Sequence, residues 1–158
     1  MKLNLEYSNN IRNGYVNVSA WPPQELPKDL PEGTQIAVGQ AGNLDDIAPD
    51  NKAEEIIFNP VFNLVNPNGI LQLFQHWHKK LQDGGTLKLF YIDIRLLSRF
   101  IYNGQLSLQD IHNLVMGPNK QHESVVDTDV MKNALSACGY KIRSINHHEY
   151  FVTVEAYK

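Results

Sequence analysis

The chain has 158 residues, 42% hydrophobic and 20% charged, a mix that builds a packed core and argues against disorder. With 14 Lys and Arg against 17 Asp and Glu the formal charge is −3, and no basic run occurs, which disfavours nucleic acid as a partner. The apolar pieces, such as Leu87-Lys88-Leu89-Phe90-Tyr91-Ile92, fall far below membrane-spanning length. The opening Met1-Lys2-Leu3-Asn4-Leu5-Glu6 lacks the apolar stretch and cleavage site of a signal peptide. One cysteine, Cys138, cannot form an internal disulfide. The expectation is one domain over residues 1–158, soluble in a reducing cytoplasm, bound neither to nucleic acid nor to a membrane.

Lys2-Leu3-Asn4-Leu5 alternates like a strand and runs into the turn formers Ser8-Asn9-Asn10. Gly14 precedes a second strand, Tyr15-Val16-Asn17-Val18, which ends at Ser19-Ala20. Residues 21–31 carry Pro22, Pro23, Pro27 and Pro31, a density that blocks helix and interior strand and predicts a loop. Thr34-Gln35-Ile36-Ala37-Val38 and Glu55-Ile56-Ile57-Phe58 read as two further strands. The clearest helix follows, with Asn66 as cap, Pro67 in first position and Ile70, Phe74, Trp77 and Leu81 on one face, stopped by Asp83-Gly84-Gly85.

Residues 86–92 predict a buried strand and residues 94–102 a helix. Ser107-Leu108-Gln109-Asp110 opens another helix with Leu108, Ile111 and Val115 on one face. Asp127 caps a last helix that turns Val130, Met131, Ala134, Leu135 and Cys138 inward, and Gly139 ends it. The tail predicts two strands, 141–145 and 150–156, joined across Asn146-His147-His148-Glu149. Strands alternating with helices imply an α/β sheet with a parallel centre and an antiparallel edge from the final pair. Ligands bind such sheets at the carboxyl ends of strands, here just after Leu5, Val18 and Phe58.

Those positions carry a family pattern. Leu3-Asn4-Leu5-Glu6-Tyr7-Ser8-Asn9-Asn10 and Gly14-Tyr15-Val16-Asn17-Val18-Ser19 resemble the opening of small class I S-adenosylmethionine-dependent methyltransferases. The likeness continues at Asn43-Leu44-Asp45-Asp46-Ile47, Glu54-Glu55-Ile56-Ile57, Leu81-Gln82-Asp83-Gly84-Gly85-Thr86-Leu87 and Asp93, and through His122, Asp127 and Gly139-Tyr140. It implies a Rossmann-like, mostly parallel sheet with an antiparallel C-terminal hairpin strand and helices on its faces. It also implies S-adenosylmethionine as cofactor, with Glu6, Tyr7, Ser8, Asn9, Ser19 and Asn43 around it.

Several of these positions depart from the family. Its glycine-rich turn lets backbone approach the methionine end of the cofactor; Glu6 and Ser8 replace the glycines here, with Tyr7 between them. Glu6 also adds a negative charge where the cofactor's carboxylate would lie. Ser19 takes the place of the acid that accepts both ribose hydroxyls, and Asn43 stands near the adenine-contacting acid, where its carbonyl oxygen can still meet the adenine amino group. Pro60-Val61-Phe62-Asn63-Leu64 replaces a His-Val-Leu-Glu-His segment, so no catalytic base carries over.

The remaining polar residues read as structural. His76 and His78 lie two apart on a helix, which suits solvated surface better than a metal site. His147 and His148 fall in the hairpin turn, and no metal site is expected there. Ser124, His122 and Asp127 lack the glycines of a nucleophile elbow, and Cys138 sits on an apolar face. Residues 21–31 offer either a recognition surface or a cover for the sheet edge. Short connections after the first three strands predict an uncovered part of the sheet and self-association through an apolar patch. Three functions stay open on the sequence: a non-catalytic binding or assembly module, an active methyltransferase with atypical cofactor binding, and a binder of another small ligand.

Overall fold

A computed structural model describes residues 1–5, 10–20, 30, 32–58, 69–116 and 126–158. The strands are β1 Lys2–Leu5, β2 Val16–Ser19, β3 Gln35–Val38, β4 Ala53–Phe58, β5 Leu81–Ile92, β6 Lys141–His148 and β7 Phe151–Tyr157. The helices are α1 Ile70–Lys80, α2 Ile94–Tyr102, α3 Leu108–Met116 and α4 Thr128–Ala137. The sheet has the order β3-β2-β1-β4-β5-β7-β6. Strands β1 to β5 pair in parallel, and β7 is antiparallel to both β5 and β6.

The reversed strand is therefore interior, and β6 forms the edge. Burial explains the choice. β7 turns Val152, Val154 and Ala156 fully inward, whereas β6 alternates exposed Lys141 and Arg143 with half-buried residues. The more apolar strand takes the place between neighbours, and charged side chains guard the edge.

Period-two alternation builds one apolar face. Leu3 and Leu5 of β1 stand in register with Ile56 and Phe58 of β4, and these with Leu87 and Leu89 of β5. All six join one core with Phe74 and Trp77 of α1 and Met131, Ala134 and Leu135 of α4. Trp77 is fully buried and meets Phe58 edge-on at 4.7 Å between ring centroids. Such burial stabilises the fold by roughly 1.5–3 kcal/mol per large side chain.

The opposite face of the sheet buries Ile57 and also carries ion pairs. Tyr15 donates a hydrogen bond to Glu55, Lys88 pairs with Glu55 at 2.6 Å, and Arg143 pairs with Glu155 at 2.6 Å. Burial and then Glu55 push the Tyr15 hydroxyl up to about 12. Burial alone would raise Glu55, but hydrogen bonds from Lys88 and Tyr15 outweigh it and hold the carboxyl below its ordinary value. Among the described residues no helix lies between β1 and β4.

Element ends show further differences from the sequence expectation. The α-helix α1 begins with Gly69 as its N-cap, and Asn66 and Pro67 lie outside the described residues. It ends at Lys80, before Asp83-Gly84-Gly85, because Asn51 and Lys52 donate their backbone N–H groups to the Lys79 and Lys80 carbonyls at 2.9 and 3.0 Å. Leu81 already pairs with Ala53, and the glycines form the irregularity before Thr86, with Gly84 at φ +75. A Cβ on Gly85 would lie 2.9 Å from the Gln82 carbonyl oxygen.

Asp127 caps α4, as the pattern predicts, and Asp93 caps α2, a role the sequence reading does not assign it. Ser107 and Asp110 exchange backbone-to-side-chain hydrogen bonds of 3.0 and 3.1 Å, completing a capping box, yet Leu108 is 85% exposed. Val130 is also exposed, contrary to its expected inward turn, while Cys138 is half-buried against the core. β6 runs through His147 and His148, so the turn tightens to Glu149 and Tyr150. Among the described residues no helix is long and apolar enough to cross a membrane.

Candidate functional site at the strand ends

The chain enters β1, moves outward to β2 and β3, then crosses back to β4 on the other side of β1. In sheets of this kind ligands bind at such a switch point, beyond the carboxyl ends of the strands, here β1 and β4. Glu6, Tyr7, Ser8, Asn9 and Pro60 lie outside the described residues. Ser19 and Asn43 are described, together with the backbone that positions them.

Two asparagines on the non-core face hold the ends of β1 and β2. Asn4 and Asn17 stand in register and are buried, and Asn4 Nδ2 donates to Asn17 Oδ1 at 2.8 Å. Asn4 Nδ2 also donates to the Asn10 carbonyl at 2.8 Å. Asn17 Oδ1 accepts the Arg12 N–H at 2.8 Å, and its Nδ2 donates to the carbonyls of Arg12, Tyr15 and Gln35. The returning connection is thus tied by side-chain amides, which replace backbone partners a helix would have supplied. Among the described residues Asn4 Oδ1 and Arg12 Nε are buried without a partner, polar capacity that the network leaves over.

Ser19 closes β2 opposite Val38 and is 4% exposed. Its carbonyl accepts the Gly39 N–H at 3.1 Å, locking the ends of β2 and β3 together. Gly39 allows this approach, since a Cβ there would lie 2.6 Å from Ile47 Cδ1.

Asn43 is exposed in the segment 40–50, which follows β3. Its N–H donates to the Gln40 carbonyl at 2.9 Å, and its Oδ1 accepts the Asp45 N–H at 3.3 Å. Three side chains of α1 carry this segment. His76 Nε2 accepts the Leu44 N–H at 2.9 Å, and Trp77 Nε1 donates to the Ala41 carbonyl at 2.7 Å. Lys80, 3% exposed, donates to Asp45 at 2.6 Å and Asp50 at 2.8 Å. Burial would lower the Lys80 pKa, but the two carboxylates reverse the balance and raise it. The Lys80 hydrogen bond and charge hold Asp45 below its ordinary value.

The helical spacing predicts solvated surface for His76 and His78. Both are half-buried instead, His76 bonded to Leu44 and His78 stacked edge-on against Tyr140 at 5.1 Å. Burial lowers the pKa of each. Asn17, Trp77 and Lys80 were missed as anchors, although two signals were present: an Asn inside an apolar strand, and a Lys one turn after Trp77 on the core face.

The other acids near the strand ends are spent on structure. Asp93 is 3% exposed and accepts the Arg95 and Leu96 N–H groups on one oxygen and the Thr128 N–H and hydroxyl on the other. Burial raises its pKa, but these hydrogen bonds win and hold it low. Asp127 accepts the Val130 N–H and pairs with Arg95 at 3.0 Å, while His122 and Ser124 lie outside the described residues. Cys138 Sγ lies 3.5 Å from the Leu71 carbonyl, and burial pushes its thiol pKa up, which suits an inert thiol. Among the described residues no three His, Cys, Asp or Glu side chains gather as a metal-holding group.

Solved structures share this architecture. A SAM-dependent methyltransferase of Methanosarcina mazei aligns over 99% of this chain and 91% of its own, at 10% identity and a TM-score of 0.66. An S-adenosylmethionine-dependent methyltransferase of Mesorhizobium loti covers 99% and 89%, at 11% identity and 0.66. Human N-acetylserotonin methyltransferase, solved in complex with SAM, matches 83% of this chain and 35% of its own, at 14% identity and 0.59. No family model and no curated protein matches the sequence. The chain has the class I methyltransferase-like fold, as the order of its strands and the reversed β7 already define it.

Proposed function

We propose that this is a methyltransferase-like domain with replaced S-adenosylmethionine motifs, acting as a non-catalytic binding or assembly module in the cytoplasm. Its partner is a small molecule, a protein or a second copy of the chain, with neither nucleic acid nor membrane involved. The observation that supports this reading most is Ser19. It closes β2 as a buried, uncharged side chain where the resemblance asks for a carboxylate to receive two ribose hydroxyls. An uncharged Ser19 in place of that carboxylate would weaken the hold on the ribose of S-adenosylmethionine. Asn43 is exposed, and its carbonyl oxygen accepts the Asp45 N–H at 3.3 Å. That oxygen keeps a second lone pair for an adenine amino group, so Ser19 alone carries the reading.

Thermal unfolding with S-adenosylmethionine and S-adenosylhomocysteine tests this reading. A ligand at a hundredfold its dissociation constant stabilises a fold by about 2.7 kcal/mol, a rise of several degrees in Tm. The proposal expects no rise with either compound, and a saturable rise would count against it.

The second reading is an active methyltransferase with atypical cofactor binding. The methyltransferase-like strand order favours it, with the ends of β1 and β4 at the switch point. Transfer would then rest on proximity and alignment, which require no base.

A further inference from the structure

The segment 40–50 is carried by three neighbouring residues of α1 that differ in how they respond to pH. The Trp77 indole donates to Ala41 and does not titrate, and Lys80 is kept charged by Asp45 and Asp50. His76 is the exception. Its Nε2 accepts the Leu44 N–H at 2.9 Å, which requires a neutral ring with the proton on Nδ1. A proton on Nε2 would set two donors against each other and leave the Leu44 N–H without its acceptor.

We propose that His76 is the positioning residue of the Asn43 segment, holding Leu44 in its neutral form and releasing it when it takes a proton. The groups that face it decide the direction. Asp45 and Asp50 from the segment favour the protonated ring, Lys80 and Lys79 from its own helix oppose it, and burial outweighs them all. The latch is therefore closed at neutral pH and opens on acidification. Asn43 directly precedes Leu44, and its own N–H bond to Gln40 spans the same turn, so release of Leu44 frees Asn43 as well. The effect on a ligand rests on the strand ends being a binding face; the latch itself does not.

Amide hydrogen exchange and NMR titration of the full chain without ligand test the latch in the wild type, His76→Gln and His76→Leu. Gln reaches the position of Nε2 with an acceptor oxygen that does not titrate. Between about pH 8 and about pH 5 the Leu44 protection factor should fall about tenfold in the wild type, in step with the His76 ring signal. His76→Gln should keep its protection throughout, and His76→Leu should be low at both ends. Denaturant unfolding at each pH separates local opening from loss of the whole fold. Flat protection in the wild type across the titration of His76 would overturn the proposal. So would an equal fall in His76→Gln. Because no ligand is present, neither result bears on whether S-adenosylmethionine binds.

Discussion

Residues 10–17, which lead into β2, and the segment after β3 are each held by side chains of a neighbouring element. Their chemistry differs. Residues 10–17 are tied by Asn4 and Asn17, amides that keep one charge state at every pH. Residues 40–50 are tied by His76, Trp77 and Lys80, and the carboxylates of Asp45 and Asp50 complete the set. One region is built to stay fixed, whereas the other is fixed only within a pH range. An amide network offers permanence, and an imidazole that accepts from backbone offers a release.

The largest effect should come from Trp77→Ala, which removes a fully buried ring and the anchor of Ala41 together. Urea unfolding should show a loss of about 3–5 kcal/mol. Residues 40–50 should lose exchange protection before residues 10–17 do. Asn17→Ala should cost about 2–3 kcal/mol, because it orphans the Arg12 N–H and several carbonyls in a buried place. That loss should be the same at about pH 8 and about pH 5, since no group in the network titrates. A pH-dependent loss would erase the contrast between the two regions.

Acid titration of the wild type should lower stability in two stages. His76 and His78 are held below the ordinary histidine value by burial. Their contribution is full above about pH 6.5 and is lost as the pH falls from there through the folded values. Asp45 is held low by Lys80, so its contribution persists above the ordinary carboxylate range near about pH 4 and is lost below it. His76→Gln should shrink the first stage and leave the second. Lys80→Met should shrink the second, since it keeps the apolar stem but removes the ion pairs. The smallest effect is expected at the β6–β7 turn, where Glu149 adopts φ 57. Glu149→Gly should raise stability by about 0.5–1 kcal/mol in thermal unfolding, without altering either stage.

Much of the fold was legible because its causes are local. The alternation in Leu3 to Leu5, the apolar spacing of α1, and the acid Asp127 before α4 each act within a few residues. The end of α1 was misplaced because residues some thirty positions earlier satisfy its last carbonyls, and no local signal shows that. The role of His76 was hidden in the same way, since its partner Leu44 lies 32 residues away. His147 and His148 were given to a turn on composition, but pairing with Val152 and Phe151 keeps them in β6. Of the six candidate site residues, Ser19 ends β2 and Asn43 lies in the segment after β3, and Glu6, Tyr7, Ser8 and Asn9 fall outside the described residues.

The central claim is that the methyltransferase-like fold persists here with strand ends that no longer suit S-adenosylmethionine. It is tested most directly by titrating isotope-labelled protein with S-adenosylhomocysteine to millimolar concentration while following the amides of Ser19, Gly39 and Asn43. The account predicts that these three signals stay in place throughout. Saturable movement confined to them would contradict it and make the chain a cofactor-binding methyltransferase domain.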